Sequence, residues 1–100
     1  MIYATASDEA EAKTLAEILV NERLVACVNI IQNATSVYRW NDKIESAKET
    51  ILIAKTTLGQ RDAAMSRLKD CHSYDIPCVV SYDMSGGLPA YLSWIVEQTQ

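Results

Sequence analysis

From Leu24 to Thr56 the chain contains neither glycine nor proline, and β-favouring side chains crowd the whole stretch. One spot reads as a turn, Trp40-Asn41-Asp42-Lys43, because Asn and Asp tolerate the left-handed backbone that a two-residue hairpin turn demands. The pattern predicts one long β-hairpin with arms over Leu24–Arg39 and Lys43–Thr56. Arms of about 15 residues far exceed the usual strand of about 5–6. At about 3.3 Å per residue each spans roughly 50 Å. A compact domain of this length has a radius of gyration near 13 Å, hence a diameter of roughly 35 Å. The hairpin outruns its own globule, and its tip projects.

That projecting part carries Val37, Tyr38, Trp40 and Ile44, side chains that ordinarily seek burial. A bare two-stranded ribbon is marginally stable and offers its edges to other chains. The expected partner is another copy of the same chain, with Tyr38 and Trp40 as interface anchors.

The chain's 100 residues fit a single domain, residues 1–100. A hydrophobic fraction of 49% is that of an ordinary globule. No apolar run approaches the ~20 residues of a membrane span. The opening Met1-Ile2-Tyr3-Ala4 shows no basic leader or cleavable apolar segment, so the expected location is the cytoplasm. Nine basic residues against thirteen acidic ones leave a net charge of −4 with no basic block. That balance speaks against nucleic acid or a membrane surface as partner. Cys27, Cys71 and Cys78 form no C-x-x-C, which excludes a zinc ribbon or thioredoxin motif. In a reducing compartment they are expected to be free thiols.

Ile2–Ala6 reads as a first strand. Asp8 and Glu11 fit a capping box for a helix over Asp8–Glu22, with Ala12, Leu15, Ala16 and Leu19 at helical spacing. After the hairpin, Thr57 and Gln60 offer a second cap, and Leu58, Ala64, Met65 and Leu68 give that helix an apolar stripe ending near Cys71. Ile76–Tyr82 is the last strand, with Pro77 tolerated at its start. Ser85-Gly86-Gly87 reads as a turn, and Pro89 opens a C-terminal helix whose Tyr91, Leu92, Trp94 and Ile95 are expected to pack. The order predicts an α+β fold: a ferredoxin-like βαββαβ sandwich with a long β2–β3 hairpin and an extra C-terminal helix.

Several stretches, in order and at the right separations, resemble the CutA family of divalent-cation tolerance proteins. They are Glu22–Ile31, Thr35–Trp40, Ile53–Thr56, His72–Pro77 and Tyr91–Trp94. The resemblance implies a ferredoxin-like fold related in shape to the nitrogen-regulatory PII proteins. It also implies a homotrimer whose long hairpins knit neighbouring sheets together, and a non-enzymatic role in tolerance of divalent metals such as copper. The chain departs from the family's pattern at Ser73, Asp75 and Cys78, where relatives usually carry proline and two glutamates. Where copper ligands have been proposed in relatives, a first-strand cysteine falls here on Ala4, and a pair of histidines reads Cys71-His72.

Cys71 and His72 are therefore the candidate metal ligands, since thiolate and imidazole suit copper or zinc. Adjacent residues at a helix end need help from elsewhere to close such a site, and Asp75 or Cys78 can supply it. The plainer reading has His72 serving the helix C-terminus and Cys71 filling space. Adjacent side chains also diverge, which is poor geometry for a catalytic thiol–imidazole pair. Arg39, Lys55, Tyr74 and Asp75, with Trp40, can line a ligand cleft between subunits, as PII trimers bind effectors; Glu9, Glu11 and Glu17 read as a solvated face. No cofactor is required on this reading, and a divalent metal is the candidate ligand. Two alternatives stand beside it. An acylphosphatase-type enzyme needs an anion-binding loop after its first strand, where this chain has Thr5-Ala6-Ser7-Asp8. A trimeric scaffold for protein partners has no such requirement.

Overall fold

The computed structural model describes residues 1–100. Its elements run β1 (Ile2–Ala6), α1 (Glu9–Asn21), β2 (Cys27–Trp40), β3 (Lys43–Lys55), α2 (Leu58–Cys71), β4 (Val79–Ser81) and α3 (Pro89–Gln98). The four strands make one antiparallel sheet in the order β2-β3-β1-β4. This is the expected ferredoxin-like arrangement with the extra helix at its end.

β2 and β3 pair from Cys27↔Lys55 to Trp40↔Lys43, and Asn41 and Asp42 close the turn at φ 50° and 62°. The first arm begins at Cys27 rather than Leu24. Arg23 turns left-handed at φ 59°, and the Leu24 and Val25 amides return to the Leu19 carbonyl to close α1. A bulge also interrupts the ladder: Ile31 faces Ile51, but Ala34 faces Glu49. β2 spends one extra residue there, and Asn33 takes φ 62°. Twist and bulge shorten the ribbon below its fully extended length. The molecule still measures 45 × 25 × 21 Å, so the tip does project.

Strand alternation sorts the sheet into two faces. Ile2, Ala54 and Val28 form one cross-strand row, and Val79, Ala4, Leu52 and Ile30 the next. These rows meet Ala12, Leu15 and Leu19 of α1 and Ala64 and Leu68 of α2 in a single core. The opposite face carries the row Val80–Tyr3–Ile53–Asn29, then Thr5, Ile51 and Ile31. No helix enters the core from that side, and Ile31 and Val80 stay exposed.

Three local expectations are corrected. β4 covers Val79–Ser81, not Ile76–Tyr82, because Pro77 has no N–H to offer a ladder. Tyr82 to Leu88 runs on without a turn, and a Cβ on Gly87 would sit 3.0 Å from Leu92 Cδ2. Of the C-terminal helix, Ile95 is buried, while Tyr91 and Trp94 stack on each other at 5.6 Å and remain exposed.

Candidate functional site

α2 ends at Cys71, and His72 leaves the helix in an extended conformation that carries its imidazole beneath β1. The Tyr74 amide donates to Nδ1 at 3.0 Å, and Nε2 lies 2.7 Å from the Thr5 carbonyl. An amide can only donate, so Nδ1 is the bare nitrogen and Nε2–H donates to Thr5. The side chain is wholly enclosed. Both ring nitrogens are spoken for.

Glu11 supports this turn from α1. Asp8 caps the helix as expected, its Oδ1 accepting from the Glu11 amide at 2.8 Å. Glu11 does not return to the Asp8 amide, however. Its Oε1 accepts from the Ser7 amide and hydroxyl, and its Oε2 accepts from the Ser73 amide at 2.9 Å. Partial burial pushes this carboxyl up, but the hydrogen bonds from Ser7 and Ser73 outweigh it and hold the group at about 2. Glu11 is thus no solvated-face residue; it ties α1 to the α2–β4 loop.

Tyr74 continues the chain of contacts. Its ring packs 4.7 Å from that of His72, and its hydroxyl donates to Glu49 Oε2 of β3 at 2.9 Å. Burial, then the Glu49 hydrogen bond and nearby negative charge, push the phenol up to about 12. Asp75 beside it is exposed, and its carbonyl accepts from Lys69 Nζ.

The remaining cleft candidates lie elsewhere. Arg39 stands opposite Ile44 near the tip, whereas Lys55 stands opposite Cys27 at the other end of the hairpin. Eleven residue steps along β3 separate those two levels, roughly 35 Å. Lys55 Nζ donates to Asn29 Oδ1, and Cys27 Sγ meets Tyr91 Oη at 3.3 Å. One chain gathers Tyr74 and Asp75 and keeps Arg39 and Lys55 apart. Tyr38 and Trp40 are exposed on the ribbon.

Cys71 is half-buried, Cys78 is exposed, and all three cysteines are free thiols. Nowhere do three His, Cys, Asp or Glu side chains converge closely enough to hold a metal ion. His72 as placed has no lone pair for a metal, so the Cys71–His72 pair does not fit one without rearrangement. Sequence reasoning missed Glu49 and Thr5, whose roles depend on contacts distant along the chain. The Asp8–Glu11 spacing did flag Glu11, though for a different bond.

The family described as CutA1 divalent ion tolerance protein matches residues 1–98. The divalent-cation tolerance protein CutA of Thermus thermophilus is 37% identical over 99 residues, spanning 99% of this chain and 96% of its own. The chloroplastic protein CutA 1 of Oryza sativa subsp. japonica is 36% identical over 100 residues, and this chain spans only 56% of that longer protein. The crystal structure of CutA from Xylella fastidiosa superposes with a TM-score of 0.97 at 39% identity, covering 99% of this chain and 95% of that one.

Proposed function

This chain belongs to the CutA1 divalent ion tolerance family, and from that premise we propose that it acts, without catalysis, as a homotrimer in the cell's response to divalent metal ions. The observation that carries the reading is the unpartnered apolar surface. The sheet face turned away from α1 and α2 presents Tyr3, Ile31, Ile51, Ile53 and Val80, of which Ile31 and Val80 are exposed, and the ribbon exposes Trp40 on that face and Val37 and Ile44 on the other. Large apolar side chains left exposed in such number mark an interaction site. Packing against like copies covers both the face and the tip. It also brings the Arg39 of one copy within reach of the Tyr74, Asp75 or Lys55 of another, as a PII-like ligand cleft requires. The free thiols suit the reducing cytoplasm.

Direct ion binding is assigned to the Cys71 thiol, copper being the preferred ion, with His72 joining only after its ring releases Thr5 and Tyr74. Binding is then coupled to undoing the loop that Glu11 and Glu49 hold. Thermal unfolding with added copper(II) or zinc tests this. A metal-dependent shift lost in both Cys71→Ala and His72→Ala is the expected outcome. If neither ion moves the transition, the tolerance role operates without these ligands.

A further inference from the structure

We propose that the cavity between α2 and α3 is a binding site for a small monocarboxylic acid with an apolar body. The cavity encloses about 410 Å³, within the range of small-molecule pockets. It lies at the end of the molecule where β3 gives way to α2, remote from the hairpin tip and from the His72 turn. Leu58, Met84, Leu92 and Val96 supply much of its wall. Leu58 is 73% exposed and Val96 45%, so hydrocarbon seated there would cover side chains that water now wets.

The polar end of the cavity favours an anion. Arg61 lines it, and its ion-pair partner is its sequence neighbour Asp62, on a solvent-exposed side chain. Such a surface pair is weak and readily exchanged. The first turn of α2 opens on the same side. Thr57 stands at the cap position without using its hydroxyl, and the Gln60 amide group is drawn away to the Thr99 carbonyl. With the Thr57 hydroxyl unused, the Leu58 and Gly59 amides have no protein acceptor. Gly59 adds no bulk: a Cβ there would meet nothing nearer than Thr57 Oγ1 at 3.9 Å. Asp83 is the one acidic side chain in the lining.

A guanidinium and an open helix end beside an apolar wall match a carboxylate on a hydrocarbon body. A wholly hydrophilic anion such as phosphate leaves the wall wet, and an uncharged hydrocarbon leaves Arg61 only its weak surface pair with Asp62. The site shares no residue with the metal-tolerance reading and does not rest on it.

Octanoate is a suitable probe, with octan-1-ol and octylamine as controls. In amide-detected NMR of the full chain at its native oligomeric state, octanoate is expected to move the Leu58 and Gly59 resonances with a dissociation constant below ~1 mM. Arg61→Gln should weaken binding at least about tenfold, and Arg61→Lys less, since a charge-assisted contact of this kind carries at least that factor. Octanol and octylamine should bind at least about tenfold more weakly than octanoate. Equal binding of octanol, or no shift with octanoate at about ten times that concentration, overturns the proposal. So does an intermolecular NOE from the Trp40 indole to Leu58 or Val96, which would show that a neighbouring copy fills the cavity.

Discussion

The Glu11 carboxylate accepts three hydrogen bonds, two from Ser7 and one from Ser73, and this sets how the fold responds to acid. Its pKa drops from 4.5 to about 2 on folding. A depressed carboxylate stabilises the native state fully above its unfolded pKa, and that contribution disappears as pH falls from about 4.5 toward 2. Because the group keeps some contact with water, the contribution is discounted to about 1–2 kcal/mol. Glu11→Gln should cost that much in urea unfolding at about pH 7 and flatten the loss of stability below pH 4.5. Parallel acid profiles for the two proteins would remove Glu11 from the account. His72 teaches a related lesson. The residue type suggested a ligand, yet a neutral ring bonded through both nitrogens is a structural fastener. Nothing local in His72-Ser73-Tyr74 could reveal that the Thr5 carbonyl, 67 residues earlier, would accept its Nε2–H hydrogen bond.

The hairpin was the most legible element. Its length, turn and pairing follow from an unbroken run of strand-formers around one Asn-Asp pair, a local pattern that needs no distant partner to be read. The bulge was not legible, since Asn33 sits in polar Gln32-Asn33 surroundings that also suit an exposed strand. In the structure Asn33 holds φ 62°, a conformation that costs a β-branched residue about 1–2 kcal/mol. Asn33→Val should therefore lower the unfolding free energy by about that amount, whereas Asn33→Gly should leave it nearly unchanged. Equal stabilities would mean that the ladder reregisters rather than bends. The second helix shows the converse failure. Thr57 and Gln60 have the right spacing for a capping box, but Gln60 finds the Thr99 carbonyl instead. Tertiary contact overrode a local motif.

A long axis of 45 Å against short ones of 25 and 21 Å confirms that the ribbon leaves the globule. Val37 and Ile44 share one face of the projecting part and are 69% and 66% exposed. Placing aspartate at both should leave the core of each chain intact and weaken assembly. Sedimentation of the parent protein is expected at close to three times the chain mass of 11.1 kDa, and that of the Val37→Asp/Ile44→Asp variant well below it. A parent that sediments as a folded single chain would end the assembly reading.

Periodicity and turn chemistry are near-neighbour properties, so the amino-acid order alone determined the elements, their succession and the projecting ribbon. The partners of Glu11, His72, Gln60 and Tyr74 lie on other elements, and only three-dimensional packing decided them. A hydrogen bond between residues far apart in the chain leaves no trace in the spacing of either one.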